Sequence, residues 1–116
     1  MTESQHAMDP LHAFETLDVR VGRIIEATIN AKARKPSYVL RIDFGTLGHR
    51  TSSAQLTVHY TPEQLVGRQV VAAMNLGTRN IAGVVSEVLV LGLPDPDGAV
   101  VLLAPEREVP LGGRMF

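Results

Sequence analysis

Along residues 38–45, Tyr38, Leu40, Ile42 and Phe44 share one face, while Arg41 and Asp43 point the other way. This period of two predicts a strand with one buried face. Runs rich in β-branched and aliphatic residues predict further strands over 19–29, 68–76, 84–92 and 99–104, and 50–58 reads as a polar strand. Gly22 is placed for a bulge or bend in the first of them. The period lengthens in two places. Asp9-Pro10 sets an N-cap and a first-turn proline, and Leu11, Phe14 and Leu17 then recur as one apolar stripe, which predicts a short N-terminal helix. "YTPEQLVG" (60–67) predicts a second helix: Thr61 caps it, Pro62 opens it, Gln64 completes a capping box and Gly67 ends it. A basic loop (30–37), turns at 46–49 and 94–98, a loop at 77–83 and a Pro/Gly-rich tail join these elements. Residues 1–9 are expected to be a flexible N-terminal segment and residues 10–116 a single domain.

Five or more strands, with one short helix between the third and fourth, predict an all-β fold closed into a small barrel. A five-stranded OB-fold has this shape, although periodicity alone does not separate it from other small barrels. With 116 residues, a domain can bury roughly two-thirds of its unfolded surface. Aromatic residues make up only 4% of the chain and there is no Trp, so the core must be aliphatic. The absence of Cys removes disulfides, thiol catalysis and cysteine-based zinc sites together. The first ten residues are polar and acidic, and no apolar run reaches the length of a membrane span. A soluble, cytoplasmic protein with no membrane insertion is expected.

The net charge of −1 hides an uneven distribution. Residues 1–18 carry four acids and no base, residues 19–79 nine bases against three acids, and residues 80–116 five acids against two bases. A basic middle between acidic ends points to an anion-facing surface. A solvated surface whose charges mix on folding explains the same pattern.

Catalytic signatures are missing. His6, His12, His49 and His59 make no metal-ligand spacing with one another or with carboxylates. Ser52 and Ser53 lie near His49, but no nucleophile elbow accompanies them. No phosphate loop or dinucleotide turn is present. No enzyme activity, metal or cofactor is expected. Binding residues are better represented. Lys32, Arg34 and Lys35 crowd the loop that flanks the ligand face in OB-folds. Arg50, Ser52, Ser53 and Gln55 offer groups suited to phosphate or backbone hydrogen bonds. Asn75, Arg79 and Asn80 bracket the 77–83 loop. Inside the strand at 84–92, Glu87 falls on the same face as Val85, Leu89 and Leu91, and a carboxylate among aliphatic neighbours needs donors.

The segments "LDVRVG", "YVLRIDFG", "SSAQLTVHY", "QVVAAMN" and "RNIAGVVSEVLVLG", in this order, resemble the tRNA-binding OB domain. That domain is appended to methionyl- and phenylalanyl-tRNA synthetases and found in the endothelial monocyte-activating polypeptide. Within that superfamily the chain is most similar to the stand-alone CsaA-type proteins, export-related chaperones, over residues 13–116. The resemblance implies a five-stranded barrel and a homodimer that binds unfolded precursor polypeptides, with structured RNA such as tRNA as the other partner. In the tRNA-binding relatives the loop before the last strands reads Lys-Met-Arg-Gly-x-x-Ser. Gly83 and Ser86 match it, while Asn80, Ile81 and Ala82 stand at the Lys, Met and Arg positions. Two cations of that pattern are thus absent, which weighs against strong tRNA binding. Arg34, Lys35, Arg50, Ser52, Ser53, Gln55, Asn75, Arg79, Asn80 and Ser86 are the expected peptide- or RNA-binding residues. Gly83 and Glu87 are expected to pin the 77–83 loop, Gly83 through a tight turn and Glu87 by accepting from loop N–H groups or from Arg79. The alternative is a strand that begins later, leaving Glu87 at an exposed edge.

Overall fold

A computed structural model describes residues 9–116. The expected flexible segment lies outside the described residues except for Asp9. That residue caps helix α1 (Pro10–Thr16), its carboxylate accepting the His12 N–H at 2.8 Å. None of the α1 residues is buried, so the helix rests on the outside of the barrel.

The barrel is an antiparallel five-stranded sheet in the order β3-β2-β1-β4-β7, nearly closed on itself. Its strands are β1 (Val19–Ile29), β2 (Tyr38–Asp43), β3 (His49–Ala54), β4 (Gln69–Ala73) and β7 (Leu89–Val90). Helix α2 (Pro62–Leu65) sits between β3 and β4, as its capping signals predict, and both hydrogen bonds of its capping box are made. Two small hairpins complete the fold: β5 (Arg79–Ile81) with β6 (Val84–Ser86), and β8 (Gly92–Pro94) with β9 (Val100–Leu102). The result is a five-stranded OB-fold barrel: the small closed barrel that the strand order predicts, of the kind the resemblance implies. None of the described helices is long and apolar enough to cross a membrane.

The alternation in β2 is realised in full: Leu40, Ile42 and Phe44 are completely buried, and Ile24, Leu65 and Val70 close around them. Strand β1 serves both sides of the barrel, pairing with β4 through its first half and with β2 through its second. The register shift falls between Ile24 and Glu26, not at Gly22. Gly22 has a different use. A Cβ there would lie 2.6 Å from Ile42 and 2.7 Å from Phe44, so only glycine lets β1 pass this close to the core.

Three predicted boundaries are corrected. The strand expected over 50–58 ends at Ala54, because Leu56 turns into the core and its carbonyl accepts the Tyr60 N–H in a turn. The 77–83 segment is not a plain loop. Arg79–Ile81 pairs with Val84–Ser86 across a two-residue turn, in which Ala82 and Gly83 have φ of 49° and 85°. Positive φ at both central residues is the type I′ geometry that matches strand twist. The strand expected over 84–92 is broken into β6, β7 and the start of β8. Its inward positions are Ser86 and Val88, whereas Val85 and Leu89 are more than half exposed. The face that Glu87 shares is therefore the outer one.

Candidate functional site

The barrel closes where β3 meets β6 and β7, and side chains replace part of the backbone ladder there. The Glu87 N–H donates to the Thr51 carbonyl at 2.7 Å, and the Thr51 N–H donates back to the Glu87 carboxylate at 2.9 Å. Two residues further along β3, the Ser53 N–H donates to Ser86 Oγ at 3.0 Å. The partner of Glu87 is thus β3 rather than the 77–83 loop or Arg79. Within the hairpin, the Asn80 side chain accepts the Gly83 N–H at 3.1 Å and tightens the turn.

Beyond Ser53 the edge of β3 faces a trough. A wide hollow of about 580 Å³ lies between the 30–37 loop and the hairpin turn, lined by Lys32, Arg34, Lys35, Ser53, Gln55 and Ile81 among others. A narrower hollow of about 190 Å³ adjoins it, sharing Ser53 and Ile81 and adding Leu76, Arg79, Val88 and Leu89. Asn30 ties the two walls together. Its backbone N–H donates to the Ser37 carbonyl at 3.0 Å, its side-chain oxygen accepts the Lys32 N–H at 3.2 Å, and its amide nitrogen reaches the Ile81 carbonyl at 3.5 Å. Among the described residues, Lys32, Arg34, Lys35 and Arg79 form no ion pair. No acidic side chain lines either hollow.

Of the residues expected from sequence, the structure brings Arg34, Lys35, Ser53, Gln55, Arg79 and Ser86 to this trough. Asn80 is exposed beside it, occupied with the turn. Three others are placed elsewhere. Arg50 donates to the Leu47 and His49 carbonyls at the opposite end of β3. Ser52 is 1% exposed and faces the core. Asn75 accepts the Asp18 N–H and donates to the Thr16 carbonyl, fixing the exit of α1. The trough also contains residues that composition could not single out. Leu76, Val88 and Leu89 read as ordinary strand residues, and Ile81 and Ser37 as parts of loops.

Elsewhere the electrostatics are those of the scaffold. The Arg23 guanidinium grips Glu108 through contacts of 2.6 and 3.1 Å, which raises the Arg23 pKa and lowers that of Glu108. A hydrogen bond from His59 at 2.7 Å, with the N–H groups of Ala99 and Asp97, holds the Asp95 carboxyl below its ordinary value.

The family described as "Putative tRNA binding domain" matches residues 19–114. Two solved structures are similar over nearly all of the chain. The chaperone CsaA from Bacillus anthracis is 46% identical with a TM-score of 0.88, covering 94% of this chain and 99% of its own. The CsaA chaperone protein from Picrophilus torridus is 39% identical with a TM-score of 0.86, covering 94% of this chain and all of its own (100%). The methionine–tRNA ligase of Parabacteroides distasonis is 40% identical over 102 residues, which is 88% of this chain but only 15% of the ligase. The barrel, the matched residues and the full-length similarity together place the chain in the tRNA-binding domain family, as a CsaA-type member.

Proposed function

We propose that the protein is an export-related chaperone that binds rather than catalyses, holding extended segments of unfolded or precursor polypeptides in the trough. It works in the cytoplasm as a homodimer, with residues 10–116 acting as one domain. The observation that carries this reading is the joining, beside Ser53 of β3, of a hollow lined by Leu76, Ile81, Val88 and Leu89 to one lined by Lys32, Arg34 and Lys35. An extended chain offers alternating side chains and a row of backbone groups, and a trough beside a strand edge suits both. The similarity to two proteins described as CsaA chaperones supports the same reading.

The dimer rests on a separate surface. Leu11, Phe14, Met115 and Phe116 are 67%, 42%, 41% and 108% exposed, and together they line one hollow. A helix this short is marginal in water without a surface to cover it. A second copy, related by a two-fold axis, would supply that surface. A chain lacking residues 1–17 is expected to be monomeric by light scattering at micromolar concentration, and a dimer would contradict the assignment.

A second reading, tRNA binding, is favoured by family membership and by the four unpaired cations at the trough. Salt separates the two. Binding through several phosphates falls steeply as salt rises, while apolar polypeptide binding does not. Titrations of an unfolded polypeptide and of tRNA, each at low and high salt, are the test. Salt-resistant polypeptide binding supports the chaperone. Salt-sensitive tRNA binding without polypeptide binding supports the RNA reading.

A further inference from the structure

Three of the trough's four unpaired cations lie at one end, with Arg79 in the narrower hollow. Lys32, Arg34 and Lys35 are all exposed on the wide hollow, with no carboxylate lining it. Most other arginines of the described chain are engaged. Arg20, Arg23, Arg107 and Arg114 pair with carboxylates, Arg50 bonds two carbonyls, and Arg68 lies over the Tyr60 ring. Three like charges held together by the Asn30-braced loop repel one another, and an entering anion relieves that repulsion. Ser37, in the wall of the same hollow, is 3% exposed and its hydroxyl has no hydrogen-bond partner. A buried hydroxyl without a partner is costly, so the wall holds an unused donor beside the cations.

We infer that the wide hollow is an acidic-side-chain subsite. The bound polypeptide segment places an aliphatic side chain among Leu76, Ile81, Val88 and Leu89, and an Asp or Glu against Lys32, Arg34 and Lys35. The hollows share Ser53 and Ile81, so a short stretch of extended chain spans both. Alternate side chains of such a chain point the same way, which sets the spacing at about two to four residues. A peptide fits better than RNA because neither hollow is lined by an aromatic side chain on which a base could stack, and half of the trough is apolar. This inference rests on the polypeptide-binding reading and names the sequence preference within it.

The test uses three fluorescent peptides that share one Leu anchor and differ at a single later position, which holds Glu, Gln or Lys. Each is titrated into the full-length protein and into the triple variant Lys32→Gln, Arg34→Gln, Lys35→Gln, whose three sites are exposed. The parent is expected to bind the Glu peptide about tenfold more tightly than the Lys peptide, the sum of a few exposed ion pairs. The preference should shrink with salt and vanish in the triple variant. Equal binding of all three peptides by the parent overturns the acidic subsite while leaving the chaperone reading intact. Failure to bind any of them overturns both. Equal peptide binding, together with loss of an RNA oligonucleotide in the triple variant alone, assigns the cluster to RNA and overturns the inference.

Discussion

The two sides of the barrel are held by different means. From β1 to β4, strands of five to eleven residues pair through long backbone ladders over a core whose central side chains are fully buried. From residue 79 to 102, strands of two or three residues are fastened by Asn80, Ser86, Glu87 and Asp95 side chains. Burial makes the first side stiff. The second side has few buried apolar groups and many local polar bonds, which is the character of segments that open at low cost. The trough lies at the junction, with one wall on each side. The contrast teaches that a rigid edge can present a ligand site whose opposite wall is free to adjust.

The largest effect is expected in the stiff half. Phe44→Ala removes a fully buried ring and should cost about 3–5 kcal/mol, read as a shifted denaturant midpoint. A loss under about 1 kcal/mol would show that the core is not where the stability resides.

Glu87 probes the seam between the two halves. Glu87→Leu leaves the Thr51 N–H without its acceptor and should cost about 1–3 kcal/mol, with faster hydrogen exchange at Thr51. Glu87→Gln retains an acceptor oxygen and should be mild. Unchanged protection of Thr51 in the Leu variant would mean that the seam does not depend on this carboxylate.

A gain is expected within the adjustable half. Ala82 holds φ at 49°, a conformation that costs a non-glycine residue about 1 kcal/mol. Ala82→Asn suits the type I′ turn and should stabilise the protein by about that amount in thermal unfolding.

The smallest effect concerns pH and the turn at Asp95. Because the folded state lowers the Asp95 pKa, its contribution is present above the ordinary carboxylate pKa of about 4 and is lost as pH falls through the folded value. Amide chemical shifts of Asp97 and Ala99 should move on acidification below that point, and should not move in Asp95→Asn. Identical titrations in both proteins would remove Asp95 as the source.

The stiff half was largely legible in the sequence, and the adjustable half was not. Alternation from Tyr38 to Phe44 and the Thr61–Gln64 capping box are local patterns, and local patterns survive in the fold. The β5–β6 hairpin escaped because its turn carries Ala82, not Asn, at the first position with positive φ. The partner of Glu87 lies 36 residues away, and no periodicity announces such a pair. Arg50 and Asn75 have the chemistry of binding residues yet spend it on nearby carbonyls and on the exit of α1. Conversely, Leu89 looks like core and lines the trough instead.

The most direct test of the trough as the polypeptide site is amide chemical-shift mapping of the isotope-labelled protein during titration with an unfolded polypeptide. Shifts are expected at residues 32–37, 53–55 and 76–89, with β1 and the outer face of β2 unmoved. Shifts confined to α1 and the C-terminal residues, with Ser53, Gln55 and Ile81 unchanged, would contradict the account.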